Sequence, residues 1–375
     1  MRHCRICASP LGDPVLDIGP PAMSSLSTPL DLPTQVFVCR ACSHAQAPDL
    51  PDLARFYDRE YRISLQSEAH DQLYDMTPDG PLYRTEHQAR LALATAPREG
   101  ARVLDFGAGK AKTLQRMCAL RPDLIPHVFD VSRDYVEHWQ SWLPAEACAT
   151  YEVPEAWHGR FDLITAHFVL EHVADPVALL SGLERLLAKD GKLFFLIPNA
   201  ASNSGDLLVV DHINHFTLPS IEAALGKAGL VALGIDDTAF RGAWTVTAGR
   251  GSAAPSDDAA DMAATTASLA RGWGRILSTI DALGADVDPA TTAIYGAGFY
   301  GSLVATRLPS PPRCFLDRNL HLQSTDHLGA QILAPQAIPA EVETLIVALN
   351  PAIAADAFAP SPDWLPSNVA LRFLA

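Results

Sequence analysis

The chain has 375 residues, of which 48% are hydrophobic and 19% charged, and a formal net charge of −15. That length supports two or three domains with full-sized cores, and the composition is that of a globular protein. The acidic balance and the lack of a basic stripe disfavour nucleic acid, no apolar run reaches the about 18 residues of a membrane helix, and the N-terminus lacks a signal-peptide core, so a cytoplasmic protein with reduced thiols is expected.

Cys4 and Cys7 form one C-x-x-C pair, and Cys39 and Cys42 form another. In a reducing compartment two such pairs read as a closed, tetrahedral thiolate site for structural Zn2+, the metal replacing a core that so short a segment cannot build. The bland alternative is a ribbon that has lost its metal. His3 and His44 are expected at the surface or behind the metal set, not in it. A Pro- and Ser-rich loop spans residues 20–33, and Phe37 and Val38 read as a short strand. Residues 47–85 carry Phe56, Tyr57, Tyr61, Tyr74 and Tyr83, which fits either a lid or a packed connection. A helix is expected from about Tyr83 to Ala96.

The run Arg102-Val-Leu-Asp-Phe-Gly-Ala-Gly-Lys-Ala-Lys-Thr113 organises the chain. Val103 and Leu104 end a buried strand, Gly107 and Gly109 turn the chain, and a helix follows from Lys112 to Leu120. Strand, glycine turn and helix N-terminus make the front half of a nucleotide-binding βαβ unit, with N–H groups presented to a polar ligand. Asp105 would repel a pyrophosphate but suits a ligand with a cationic amine, such as S-adenosylmethionine (SAM). The next strand, His127 to Phe129, ends at Asp130, whose distance from the turn fits a ribose-binding carboxylate. Tyr135 to Trp142 reads as a helix and Ala149 to Val153 as a short strand, with Glu152, Glu155 and Trp157 as adenine contacts. Leu163 to Ala166 is a fourth strand, and the loop from His167 to His172 at its carboxyl end faces the ligand. Asp175 and Pro176 open a helix as N-cap and first residue, Gly191 ends it, and Lys192 to Ile197 is a fifth strand. Ile221 to Ala228, stopped by Gly229, is a helix, and Leu230 to Ile235 with Trp244 to Ala248 read as an antiparallel pair.

DFGAGK, VFD, FDLITAHFVLEHV and LAKDGKLFFLIPN, in this order and spacing, resemble a class I SAM-dependent methyltransferase over residues 85–250. One departure is Ala111, where the family's turn has a third glycine. The resemblance implies a Rossmann-like domain with a seven-stranded mixed sheet. It implies SAM as cofactor, with Asp105 and the backbone around Gly107 and Gly109 near its methionine part and Asp130 at its ribose; His167, at the end of the fourth strand, is expected among the cofactor-binding residues. Beyond the fifth strand, Asp211, His212 and His215 crowd one loop and offer a general base; the alternative is that both histidines cap a turn.

Residues 250–261 are a linker by composition, and Leu269, Trp273, Ile276, Leu277, Ile280 and Leu283 mark an amphipathic helix. Then Ala293 to Tyr295, the G-x-G-x-x-G turn Gly296–Gly301, Cys314 to Asp317 and Leu345 to Leu349 form half a Rossmann unit, with Asp317 at dinucleotide spacing. Three domains are expected: a zinc module with its connecting segment (1–84), a SAM domain (85–250) and a half-Rossmann α/β domain (251–375). This order is similar to the zinc-containing C-methyltransferases of nucleotide-deoxysugar biosynthesis. That resemblance implies carbon methylation of a nucleotide sugar after proton abstraction, with His212 at the family histidine and Asp211 in place of a glutamate. Val209 stands where the family has tyrosine, and His215 replaces an aromatic residue. The expected activity is therefore SAM-dependent methyl transfer to a nucleotide sugar or related small metabolite. The alternatives are O- or N-methylation of another metabolite, an NAD-dependent oxidoreductase using Gly296, Gly298, Gly301 and Asp317, and a non-catalytic docking protein.

Overall fold

A computed structural model describes residues 2–51, 71–78, 80–252 and 258–374. Phe56, Tyr57 and Tyr61 lie outside them. The chain divides into two units. The first comprises Met1–Asp13, Phe37–Ser202 and Ile213–Thr266; the second comprises Pro14–Val36, Asn203–His212 and Ala267–Ala375.

The first unit is built on a seven-stranded sheet. Its elements are α1 (Arg84–Leu93), β1 (Arg102–Phe106), α2 (Lys112–Leu120), β2 (Ile125–Asp130), α3 (Val136–Gln140), β3 (Cys148–Thr150), β4 (Phe161–His167), α4 (Pro176–Leu186), β5 (Leu187–Pro198), α5 (Leu218–Lys227), β6 (Leu230–Asp236) and β7 (Ala243–Arg250). The strand order is β3-β2-β1-β4-β5-β7-β6. The first five strands run parallel, and β7 pairs antiparallel with both β5 and β6. The period-two pattern divides the strands between two cores. Leu104, Phe106, Ile164, Ala166, Phe195 and Ile197 meet Leu180 and Leu183 of α4 and Ile221 and Leu225 of α5 on one face. Val103, Leu163, Phe194 and Leu196 meet Leu114 and Met117 of α2 and Trp139 of α3 on the other.

α4 starts as expected, with the Asp175 carboxylate accepting from the Ala178 N–H at 2.8 Å. It ends early, at Leu186, so Gly191 is not its stop but a residue inside β5. There a Cβ would come within 2.4 Å of the Phe161 carbonyl, which explains the glycine by close backbone approach. The helix expected over 135–142 is only the turn Arg133–Tyr135 followed by α3.

The cysteine knuckles belong to this same unit. Cys4, Ile6, Leu11, Phe37, Cys39 and Cys42 are buried in one cluster with Phe216 and Ile221. The strand Ala45–Gln46 pairs antiparallel with Asn214–His215.

The second unit contains a six-stranded sheet and the greater part of α6 (Ala259–Asp286). The sheet strands are β8 (Thr292–Tyr295), β9 (Cys314–Leu316), β10 (Asp326–His327), β11 (Ala330–Leu333), β12 (Thr344–Val347) and β13 (Ala370–Phe373), with α7 (Phe299–Ala305) after β8. Their order is β10-β11-β9-β8-β12-β13, parallel except for the β10–β11 hairpin. It is wider than the three strands read from the sequence by β10, β11 and β13. Trp273, Leu277 and Ile280 form the buried stripe of α6. Among the described residues no helix is long and apolar enough to cross a membrane.

Candidate active site

The glycine turn after β1 is held from every side. Gly107 has φ +72°, and a Cβ there would sit 2.5 Å from Val169 Cγ2, so only glycine fits. The Gly107 and Ala108 N–H groups donate to the Phe129 carbonyl at 2.8 and 3.0 Å. The Gly109 N–H donates to Asp130 Oδ2 at 2.8 Å, and its carbonyl accepts from the Trp139 indole at 2.7 Å. On its α-carbon side Gly109 is open: nothing lies within 4 Å of where a Cβ would be. Ala111 keeps the left-handed backbone of the glycine it replaces, with φ 55° and ψ 30°, as the N-cap of α2.

Asp105 is buried at the carboxyl end of β1 and accepts from Thr165 Oγ1 at 2.8 Å. Burial pushes its carboxyl up to about 7; the Thr165 hydrogen bond opposes the shift and the nearby Asp130 adds to it. Such a group gains from a cationic partner. Asp130 is also buried and raised, by the same desolvation. Its Oδ1 accepts from the Ser132 N–H at 3.0 Å. A carboxylate has about four acceptor positions, so these two bonds leave capacity for the hydroxyls of a ribose. The residues therefore fit SAM: a buried acid for the amine, an open glycine face, and a second acid for the sugar.

His167, at the end of β4, packs its ring 5.9 Å from that of Phe194. Neither of its ring nitrogens has a partner among the described residues. Burial first, then the charge of Arg84, pushes it down to about 3, so the ring is neutral at physiological pH. Trp157, weighed above for adenine, is instead a core residue, edge-on to Phe161 at 5.6 Å. Thr165 and Trp139 were not singled out from sequence. Threonine on a buried strand and tryptophan on a short helix carry no motif, and only the fold turns them toward Asp105 and Gly109.

Cys4, Cys7, Cys39 and Cys42 place their sulfurs within 4.8 Å of one another. Cys4 and Cys42 are 3.6 Å apart, and Cys7 and Cys39 are 3.4 Å apart. A zinc–sulfur bond of about 2.3 Å gives a tetrahedral edge of about 3.8 Å, so the four sulfurs fit that ion. His44 is fully buried and its Nε2 meets Asn214 Oδ1 at 3.2 Å; burial pushes it down to about 3.

The loop acids and histidines separate. His215 is buried in the first unit, on the strand paired with Ala45–Gln46. Asp211 and His212 belong to the second unit. The buried Asp211 accepts from the Ser25 N–H at 2.7 Å and from its hydroxyl at 2.6 Å. His212 Nδ1 lies 2.5 Å from Asp206 Oδ1, a residue that the sequence reading passed over.

The second unit's glycine turn closes on itself. A Cβ on Gly296 would meet the Ala348 carbonyl at 2.8 Å, and one on Gly301 the Gly296 carbonyl at 1.9 Å. Asp317 accepts from the Ala297 N–H at 2.8 Å and from the Asn319 N–H at 2.8 Å.

Residues 82–233 match a family model described as "Methyltransferase domain". The ubiquinone biosynthesis O-methyltransferase of Xanthomonas oryzae pv. oryzae is 33% identical over 127 residues, which cover 32% of this chain and 51% of that protein. The protein of the same name from Thiobacillus denitrificans is 25% identical over 167 residues, covering 43% of this chain and 68% of its own. The chain thus spans about half the length of the first of these relatives. Among solved structures, a SAM-dependent methyltransferase from Aquifex aeolicus superposes with a TM-score of 0.36 at 17% identity, over 46% of this chain and 93% of its own. The plantazolicin methyltransferase BpumL, in complex with SAH, gives 0.37 at 14% identity, over 45% and 86%. Residues 82–233 thus match a methyltransferase domain, and they carry the glycine turn and most of the seven-stranded sheet described above.

Proposed function

We propose that the protein transfers the methyl group of SAM to a small-molecule acceptor, a nucleotide sugar or related metabolite, at a carbon made nucleophilic by proton removal. One observation carries the SAM part: the buried Asp105 carboxyl beside an open glycine turn, with Asp130 closing the far side. SAM, when bound, supplies an electrophilic methyl on a sulfonium. Asp105 holds its ammonium group, Asp130 its ribose hydroxyls, and His167 lends a neutral ring to the cavity wall. His212 would take a proton from the acceptor, leaving it the electron pair with which to accept the methyl group that SAM would supply. Asp211 is spent on Ser25 and holds the loop rather than moving a proton. His215, buried beside the cysteine knuckles, is the weaker candidate for the base.

The four-cysteine set is proposed to hold one structural Zn2+. Its sulfurs use all four positions of a tetrahedral ion, which leaves none for chemistry. Thiolate zinc suits a reducing compartment, and the cytoplasm is the location we propose. The O-methyltransferase names of the relatives favour oxygen as the alternative acceptor atom. Titration calorimetry of the zinc-loaded chain with SAM tests the proposal: saturable binding at one site per chain is expected, and no heat above dilution would end it. Metal analysis of the same sample should return one zinc per chain.

A further inference from the structure

The loop after β4 touches the first glycine turn through Val169, whose Cγ2 would lie 2.5 Å from a β-carbon on Gly107. Beyond Val169 the chain makes the short turn Leu170–His172, closed by the His172 N–H to the Val169 carbonyl at 3.1 Å. One side chain holds this loop. The Asn214 amide nitrogen donates to the Leu170 carbonyl at 3.0 Å and to the Val173 carbonyl at 2.7 Å. Carbonyl oxygens only accept, so both amide hydrogens are used there and Asn214 Oδ1 must face the other way. It faces His44 Nε2 at 3.2 Å, which therefore carries a hydrogen and donates. Asn214 and His44 are both buried.

His44 belongs to the second cysteine knuckle. It follows Cys42 by two residues, its carbonyl accepts from the Cys39 N–H at 2.8 Å, and its ring lies 5.0 Å from that of Phe216. The segment before Asn214 is tied to the knuckles as well. The Ile213 carbonyl accepts from the Ala47 N–H at 3.1 Å and from Arg5, which lies between Cys4 and Cys7, at 2.6 Å. All of these residues lie in the first unit. We infer that Asn214 is a positioning residue, the link by which the cysteine knuckle holds the loop after β4 against the SAM-binding turn. Metal-bound Cys39 and Cys42 would fix the backbone that places the His44 ring. The ring orients the Asn214 amide, the amide holds the loop, and Val169 keeps Gly107 in its left-handed turn. Zinc in the knuckle thus tightens SAM, and by linkage SAM tightens zinc to the same degree. The SAM half rests on the function proposed above; the brace itself does not.

The test uses the full-length, zinc-loaded chain. Amide hydrogen exchange without SAM follows the His172, Gly107 and Ala108 N–H groups, with the amides of β5 as control. Asn214→Asp keeps an oxygen for His44 and removes both donors to the loop; His44→Phe keeps a ring and removes the donor at the knuckle end. Each should speed exchange at the three amides about tenfold and leave β5 unchanged. Stripping zinc from the native chain with a chelator should give the same pattern without any variant having to fold. In Asn214→Asp the stripping should add nothing at those amides, because the link is already cut. SAM should bind about tenfold more weakly to both variants, and it should slow zinc transfer to a chelating dye in the native chain but not in Asn214→Asp. Loop exchange that is unchanged in the folded variants, or unchanged on zinc removal, would overturn the inference. So would SAM that protects zinc equally in the native chain and in Asn214→Asp. A native chain that binds no SAM, with loop exchange still governed by zinc and Asn214, breaks the function and leaves the brace standing.

Discussion

Two glycine turns in this chain share a backbone device and differ in what surrounds it. After Asp105-Phe-Gly-Ala-Gly109, Asp130 caps a turn N–H and then accepts from Ser132 two residues on. After Ile294-Tyr-Gly-Ala-Gly298, Asp317 does the same with Ala297 and Asn319. An acid about twenty residues beyond a glycine turn is thus first of all a cap on the turn. Ligand chemistry depends on the neighbours. Both turns are closed at the first glycine, Gly107 against Val169 and Gly296 against the Ala348 carbonyl, and open at the second, Gly109 and Gly298; what differs is the residue two places ahead, the buried acid Asp105 in one and the buried Ile294 in the other. Tyr295 stacks on Trp364 with centroids 5.7 Å apart, so apolar packing fills the space beside that strand end.

The largest effect should come from the second turn. Gly301→Ala drives a methyl to within 1.9 Å of the Gly296 carbonyl and should cost about 3 kcal/mol or more, read from the urea midpoint. Gly298→Ala, with nothing within 4 Å of its added methyl, should change stability by less than about 1 kcal/mol. Next is the first turn. Asp105→Asn removes the charge that meets the ligand's amine and should weaken SAM binding about 100-fold by calorimetry, in keeping with about 1.5–3 kcal/mol for a hydrogen bond to a charged group. Ile294→Ala should leave SAM affinity untouched.

The acid's own titration gives a smaller effect of fixed sign. Burial raises the Asp105 carboxyl to about 7 in the ligand-free protein, so below that pH SAM must displace a proton before its ammonium finds a carboxylate. Affinity should be highest above pH 7 and about tenfold lower at pH 6 than at pH 8, a slope that Asp105→Asn abolishes. Smallest is Ala111→Gly. A β-carbon in the left-handed region costs about 1 kcal/mol, partly offset by the extra freedom of glycine when unfolded. The variant should gain up to about 1 kcal/mol in unfolding free energy and bind SAM as before.

Local signals were readable wherever chemistry and backbone demand coincide. The Asp175-Pro176 helix start, the paired C-x-x-C knuckles and the alternating strands β1, β4 and β5 are of this kind. Gly191 misled because a glycine after an apolar helix usually means a stop, and here it means contact with the Phe161 carbonyl. The bracing of Gly109 by Trp139 and of Asp105 by Thr165 was not legible, since both are long-range contacts without a spacing rule. Asp206 hid for another reason: it sits on a single short turn, which has no periodicity to read. The Asp211-His-Ile-Asn-His215 cluster looked like one group of acids and bases, yet its members hold different parts of the fold.

The most direct measurement is a crystal structure of the zinc-loaded chain grown with saturating S-adenosylhomocysteine. The account predicts one ligand at the first glycine turn, its ammonium within hydrogen-bonding distance of Asp105 and its ribose hydroxyls on Asp130, with nothing at the Gly296–Gly301 turn. Ligand density at the second turn, or an amine that meets no carboxylate at the first, would contradict it.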